Sequence, residues 1–314
     1  MSNCNNIMIV KCLNYLSLKL DLYVLELLMI QIQLQNQELS AMKTVTKRNV
    51  KRIQYGEEAN QFGDLRIPEG EGPFPVAIVI HGGFWKAHLE LEHMNAFVNA
   101  LTENGIATWN IEYRRVGQED GGWPNTFLDS AKAADFVRTL AKSYPLNTES
   151  VITIGHSAGG HLALWLAARH NLCPDSNLTS IEDPLKIKGV ISLAGVSDLA
   201  LMHDIHQWKD TMFGIIDNPT KDLMGGSPEN YPYRYEQGSP KSLLPIGVPL
   251  VLIHGSLDVN VPIGMSELFE KTAKSAGDTV SFIPILHAEH FELIVPDLGA
   301  WPVILDSFNS LLND

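Results

Sequence analysis

The chain has 314 residues, a formal net charge of −13, 45% hydrophobic residues and 19% charged ones, the composition of an ordinary globular protein with room for one large α/β domain or two small ones. The acidic balance and the lack of any basic stripe argue against a nucleic-acid partner. Three cysteines (Cys4, Cys12, Cys173) at unrelated spacings supply neither a disulfide framework nor a metal knuckle, and a cytoplasmic location is the simplest reading of that usage.

Residues 1–41 are rich in Leu, Ile, Asn and Gln and contain no Gly or Pro. Met1–Val10 lacks the basic residues of a secretory signal, and Lys19, Asp21 and Glu26 interrupt the apolar part. No run reaches the roughly 18 uninterrupted apolar residues of a stable membrane span. The alternation of Leu16, Leu18, Leu20, Leu22 and Val24 suits a strand, whereas the later residues suit a helix. The segment is expected to be a poorly structured or spurious leader, with Met42 as the working initiator and a domain over 42–314; a peripheral membrane helix is the competing reading.

From there the pattern is regular. Val50–Tyr55 and Gln61–Ile67 predict an antiparallel pair, and Val76–Ile80 (VAIVI) a strand buried on both faces. Leu91, Met94, Phe97, Val98 and Leu101 predict a helix ending at Asn104-Gly105, followed by a strand over Ala107–Tyr113. An amphipathic helix is predicted over Thr126–Lys142, then a strand at Val151–Ile154 and its own helix. Buried strands follow at Val190–Leu193 and Pro249–His254, and then a helix around Met265–Ala276, a strand at Val280–Leu286 and a closing helix at Trp301–Leu312. Strands alternating with helices mean a mostly parallel sheet covered on both faces, with its sites at the carboxyl ends of the strands. Leu199–Leu244 breaks the rhythm and reads as a small, partly helical cap-like insertion over the site.

Val151–Gly160, VITIGHSAGG, is a β-branched run, a tight Gly-His-Ser-Ala-Gly turn and a helix-forming run. Such a turn pushes a serine hydroxyl out above the sheet, beside the amide-rich start of a helix, so Ser157 is the candidate nucleophile. The bland alternative is a glycine-rich turn with an idle serine. Serine needs a base, and the base an orienting acid. Asp258, in His254-Gly255-Ser256-Leu257-Asp258, follows one buried strand, and His290, in His287-Ala288-Glu289-His290-Phe291, follows the next. Asp198 also lies at a strand end, but a helix N-cap is its preferred role. His287 competes with His290, which is preferred because Phe291-Glu292-Leu293-Ile294 offers it an apolar anchor. His156 and His161 flank the serine and are read as satisfying local hydrogen bonds. His203 and His206, spaced i and i+3, lack a third ligand and are read as part of a surface insertion, so no metal and no cofactor are expected.

His81-Gly82-Gly83-Phe84-Trp85 directly follows the VAIVI strand. Acyl transfer develops negative charge on the carbonyl oxygen, and glycines allow a loop to turn its amides toward that charge. Gly83, Phe84 and Ala158 are therefore the predicted oxyanion-hole donors, with His81, Gly82 and Trp85 completing the loop. Phe84, Trp85, Trp123 and Trp208 are candidate walls of an apolar pocket, with ordinary core as their bland reading.

HGGFW, GHSAGG, HGSLD and HAEHFEL together resemble the α/β-hydrolase superfamily, in its esterase/lipase branch, over about residues 50–313. HGGFW is also similar to the H-G-G-x-W loop of kynurenine formamidases, and the tail motifs look like the catalytic domains of prolyl-oligopeptidase-type peptidases. The resemblance implies an α/β-hydrolase fold with Ser157 as nucleophile, Asp258 as acid, His290 as base and the HGG loop as oxyanion hole. Phe84 departs from the third glycine of hormone-sensitive-lipase-like esterases, and fewer than 50 residues precede the first strand, which leaves no place for the β-propeller of the oligopeptidases. A serine hydrolase acting on small carboxylic esters is the leading reading, and an arylformamidase cleaving N-formylkynurenine is the second. A peptidase and a non-catalytic hydrolase-fold binding protein rank behind them.

Overall fold

A computed structural model describes residues 50–179, 183–214 and 216–313. The leader predicted over residues 1–41 lies outside the described residues. Among them, β1 (Lys51–Gln54) and β2 (Phe62–Arg66) form the expected antiparallel pair, with Arg52 opposite Asp64. Next come β3 (Phe74–Ile80), α1 (Asn95–Glu103), β4 (Ala107–Ile111), α2 (Asn125–Asp135), α3 (Val137–Leu140), β5 (Leu146–His156) and α4 (Ala158–Ala168). The second half runs β6 (Gly189–Leu193), α5 (Leu199–Phe213), α6 (Pro219–Met224), α7 (Pro232–Gly238), β7 (Leu250–Gly255), α8 (Gly264–Ala276), β8 (Val280–Ile285) and α9 (Ala300–Asn313).

The eight strands make one sheet in the order β1-β2-β4-β3-β5-β6-β7-β8. β2 meets β4 antiparallel, and every pairing from β4 to β8 is parallel. This is the mostly parallel, helix-flanked sheet that the motifs imply. Side chains alternate between the faces, as a pleated strand requires. Val76, Ile78 and Ile80 of β3 face a core shared with Phe127, Leu162, Trp165 and Phe269, whereas Ala77 and Val79 face one shared with Phe97, Leu101, Ile304 and Phe308. α4 lies beneath the nucleophile turn and is buried along its whole length, which explains why its sequence is apolar on every side.

Several predicted boundaries shift: the strand expected over Ala107–Tyr113 ends at Ile111, and the helix expected from Leu91 opens with a 3₁₀ turn at Leu91–Met94. The helix expected over Thr126–Lys142 is broken at Phe136, where the bonding tightens to an i→i+3 link from Thr139 N–H to the Phe136 carbonyl (2.8 Å). The strand expected at Val151–Ile154 begins earlier, at Leu146. Its first half, Asn147-Thr148-Glu149-Ser150, is polar and only partly buried, so it gives no apolar run to read. The predicted insertion is helical: α5, α6, α7 and a 3₁₀ turn at Pro240–Leu243. Asp198 caps α5, accepting from Leu201 N–H (3.1 Å) and from Lys241 Nζ (2.6 Å), and Asn218 caps α6 by accepting from Lys221 N–H (3.1 Å). The N-cap reading of Asp198 therefore matches the structure.

Candidate active site

Five segments end their strands on the same edge of the sheet. Ser157 follows β5, the His81–Trp85 loop follows β3, Glu112 follows β4, the loop carrying Asp258 follows β7 and the one carrying His290 follows β8. Between β5 and α4 the chain must reverse in a single residue, and Ser157 does so at φ 57°, ψ −120°, in the left-handed region that side chains rarely occupy. The flanking glycines are required by contact. A Cβ on Gly155 would lie 2.0 Å from the Gly159 carbonyl oxygen, and one on Gly159 would lie 2.0 Å from the Ile80 carbonyl oxygen. Strand, turn and helix thus pack backbone against backbone beneath the serine.

Asp258 and His290 meet directly, His290 Nδ1 donating to Asp258 Oδ2 at 2.6 Å. The other Asp258 oxygen accepts the amides of Asn260 and Val261, both at 2.9 Å. His254 Nε2 donates to the Val261 carbonyl (2.8 Å) and lies 3.2 Å from Asp258 Oδ2, while its Nδ1 accepts from Ser266 Oγ (2.8 Å). Burial alone would raise the Asp258 carboxyl, but hydrogen bonds from His254 and His290 hold it well below the usual carboxylate range. An ionised Asp258 keeps the His290 proton on Nδ1 and leaves Nε2 with its lone pair. His290 packs against the turn, its ring centroid 4.4 Å from that of His156, and the His156 Nε2–H donates to the His290 carbonyl at 3.0 Å. Among the described residues neither the Ser157 hydroxyl nor His290 Nε2 has a hydrogen-bond partner, and the two do not bond to each other. In free hydrolases such a link is commonly loose and tightens when substrate binds. His287, the competing histidine, is exposed and its N–H donates to Ser256 Oγ, away from Asp258.

The His81–Trp85 loop bends through three consecutive positive φ values: Gly83 at 104°, Phe84 at 50° and Trp85 at 57°. A Cβ on Gly82 would come within 3.0 Å of Ser157 Cβ, so the loop lies against the serine. Among the described residues the amides of Gly83, Phe84 and Ala158 donate no hydrogen bond, and Ala158 opens α4. This is what a helix N-terminus and a loop of left-handed residues present to a developing oxyanion. Beneath the loop, buried His81 places Nε2 2.9 Å from Glu112 Oε1 and Nδ1 2.8 Å from the Gly82 carbonyl. Glu112 also accepts the amides of Leu91 and Tyr113, both at 3.0 Å, and the Tyr113 hydroxyl donates to the His81 carbonyl at 3.0 Å. Burial pushes the Glu112 carboxyl up, but the charge and hydrogen bond of His81, the charge of Arg115 and the Tyr113 amide outweigh it and keep the group below its ordinary value.

A family model described as BD-FAE matches residues 64–273 of this chain. The chain belongs to the BD-FAE family. Members of BD-FAE are α/β-hydrolase esterases, so fold and family agree. Among curated proteins, a probable isoprenylcysteine alpha-carbonyl methylesterase of Oryza sativa subsp. japonica is 25% identical over 263 residues, covering 80% of this chain and 60% of that protein. The kynurenine formamidase of Danio rerio is 23% identical over 272 residues, 82% of this chain and 81% of its own. A truncated carbohydrate esterase from gut microbiota superposes with a TM-score of 0.72 at 20% identity, over 86% of this chain and 99% of its own. The chain spans about 60% of the length of the plant relative.

The BD-FAE match covers Ser157 and Asp258 but stops before His290. Several supports of the site escape a reading of motifs alone. Glu112 and Tyr113 stand just past the end of β4, where a fully buried strand turns abruptly charged; that placement is their only signal. His254 sits inside a buried strand and reads as part of the HGSLD string. The surface reading of His203 and His206 is corrected. Both are buried, at 5% and 6% exposure, because α5 turns Leu199, Met202, His203 and His206 inward on one face. His206 meets Phe84 edge-on at 5.2 Å, and burial lowers its pKa to about 4. Of the four candidate pocket walls, Trp85 is fully buried, Trp208 is exposed on the cap, and Phe84 and Trp123 are half-buried.

Proposed function

We propose that the protein is a serine hydrolase that cleaves small carboxylic esters through an acyl-enzyme on Ser157. The observation that carries the reading is the 2.6 Å Asp258–His290 bond beside a serine at φ 57°. His290 Nε2 takes the Ser157 proton as Oγ attacks the ester carbonyl, and the amides of Gly83, Phe84 and Ala158 bind the oxyanion. As the C–O bond breaks, His290 returns that proton to the leaving alcohol and Ser157 holds the acyl group. Water then attacks, gives its proton to His290, and the tetrahedral species releases the carboxylic acid as the proton passes back to Ser157 Oγ. Asp258 stays ionised and stabilises the imidazolium that forms twice per cycle. His81, Gly82 and Trp85 shape the donor loop. The chemistry needs no metal or cofactor.

Arylformamide hydrolysis is the second reading, and it is supported by the HGGFW loop and by similarity along most of the Danio rerio kynurenine formamidase. A formamide passes through the same oxyanion and acyl-enzyme, with a formyl group on Ser157. The discriminating experiment is a panel of p-nitrophenyl esters of graded length plus N-formylkynurenine, run on wild type and Ser157→Ala. Ester turnover that exceeds formamide turnover and vanishes in Ser157→Ala is the expected result. Fast formamide hydrolysis with negligible ester turnover reverses the order. The proposal includes a small-molecule ester or formamide substrate, as the names of the plant methylesterase and the kynurenine formamidase suggest, and a cytoplasmic setting. Among the described residues no helix is long and apolar enough to cross a membrane.

A further inference from the structure

Three parts of the site belong to separate segments: the nucleophile turn, the oxyanion loop and the cap. One fully buried histidine joins all three: its backbone N–H donates to the Ser157 carbonyl at 3.1 Å, and its imidazole reaches the other two. His161 lies on the first turn of α4, four residues after Ser157, and has no exposed surface. Its Nδ1 accepts from Trp85 Nε1 at 3.2 Å, and Trp85 is the left-handed residue that ends the oxyanion loop. Its Nε2–H donates to the carbonyl of Gly238, the last residue of α7 in the cap, at 2.8 Å. One tautomer satisfies both bonds, with the proton on Nε2 and the lone pair on Nδ1. Burial supports the same state by lowering the His161 pKa to about 4. One turn further along α4, Trp165 Nε1 donates to the preceding cap carbonyl, Gln237, at 3.0 Å. Helix and cap are therefore joined at two successive carbonyls. The approach at Gly238 is close, since a Cβ there would meet Met224 and Phe127 at 3.1 Å.

We infer that His161 is a positioning residue for the oxyanion hole: through the Trp85 indole it sets where the Gly83 and Phe84 amides stand relative to Ser157, and through Gly238 it ties that setting to the cap. The inference rests on the Ser157 hydrolase reading. Phe84 and Trp85 hold left-handed conformations that cost free energy, so their placement depends on bonds outside the loop. One such bond is Val116 N–H to the Trp85 carbonyl (2.8 Å), which fixes the backbone. The indole bond to His161 fixes the angle of the loop against α4. Amides aimed at an oxyanion lose effect with small displacements, because about 1 Å of misplacement costs on the order of 100-fold in rate.

The test uses p-nitrophenyl acetate, a trifluoromethyl ketone as transition-state analogue, and a fluorophosphonate to count competent sites. His161→Phe keeps a ring and removes both bonds, His161→Asn returns an acceptor near Nδ1, and Trp85→Phe removes the donor from the other side. Per titrated site, kcat of His161→Phe should fall about 10- to 100-fold with KM changed less than about threefold, and the ketone should weaken in parallel. Trp85→Phe should match it, the double variant should be no worse than either single one, and His161→Asn should recover most of the loss. A merely structural role would lower the fraction of titratable sites and leave kcat per site and ketone affinity unchanged, and that result overturns the inference. If His161→Phe does not fold, His161→Asn and Trp85→Phe decide: additive losses, or no loss in Trp85→Phe, overturn it as well. Failure of the wild type to react with the fluorophosphonate or turn over any substrate would instead overturn the hydrolase reading itself.

Discussion

Asp258→Asn tests the proposed site most sharply, because Asp258 serves only as an acceptor. One carboxylate oxygen takes the amides of Asn260 and Val261, and the other takes His290 Nδ1–H with His254 Nε2 3.2 Å away. Asparagine offers a single oxygen. Kept on the two backbone amides, it turns its NH₂ toward two imidazole donors. His290 can then avoid a donor–donor clash only by moving its proton to Nε2, where the serine proton has to go. The lone pair that makes His290 a base is lost from the reacting side. An acid-to-amide change that locks the wrong tautomer costs about 10⁴ in kcat, or about 5.4 kcal/mol of transition-state stabilisation. The stability cost is smaller, at about 1–3 kcal/mol for a buried donor left without an acceptor. The assay is kcat on p-nitrophenyl acetate with thermal unfolding on the same sample. A folded Asp258→Asn variant that loses less than tenfold in kcat would refute Asp258 as the group that orients His290.

Three further outcomes follow from the same geometry. His290→Ala should abolish ester turnover and fluorophosphonate labelling, whereas His287→Ala, at an exposed position whose backbone N–H to Ser256 Oγ survives the change, should stay within about twofold of wild type; equal losses would reopen the choice of base. Gly159→Ala puts a methyl 2.0 Å from the Ile80 carbonyl oxygen and should cost about 3 kcal/mol or more, read as a large fall in Tm; an unchanged Tm would refute the close strand–helix contact. His161 is folded neutral with a pKa of about 4 against an ordinary 6.5, so its contribution is present above pH 6.5 and is lost as pH falls to 4, amounting to about 3 kcal/mol. Unfolding midpoints for His161→Asn should therefore depend less steeply on pH than wild type between pH 6.5 and 4, and identical slopes would refute a buried neutral imidazole there.

What could be read in advance divides along a physical line. Val76–Ile80 of β3 and all of β6 and β7 are buried on both faces, so VAIVI and the runs around Val190 and Leu250 announce themselves as continuous apolar stretches. The glycines of G-H-S-A-G are legible for a related reason: backbone passes within van der Waals distance of backbone, and no other residue fits. Asp258 and His290 were readable from their chain order at successive strand ends. Glu112, His254 and the bonds of His161 were not, because each is a polar group whose partner lies far away in sequence. His161 and Trp85 are 76 residues apart, and His161 and Gly238 are 77 apart. A buried imidazole inside an apolar helix looks like a tolerated exception until both of its partners are seen. His203 and His206, spaced as a metal pair but without a third ligand, read as part of a surface insertion, yet their helix turns them inward.

The arrangement also explains why the chemistry and the substrate are separable here. Every group proposed to move a proton or bind the oxyanion stands in a turn, loop or helix start that follows a strand of the parallel sheet, with Ser157, Ala158 and His290 buried there. Specificity would instead come from α5 to α7, which contribute Phe84's neighbour His206 and reach the core through Leu199, Met202, Leu223 and Met224. Lys86, next to Trp85, bridges to Asp217 and Asp222 of that cap. Cap and oxyanion loop are thus joined twice, by an exposed ion pair at Lys86 and by the buried hydrogen bonds of His161. The exposed pair is worth little and weakens with salt, whereas the buried pair carries the desolvation cost of any bond left unmade. Changes confined to the outer cap should therefore retune KM among acyl groups, while changes that reach Gly238 or His161 should appear in kcat.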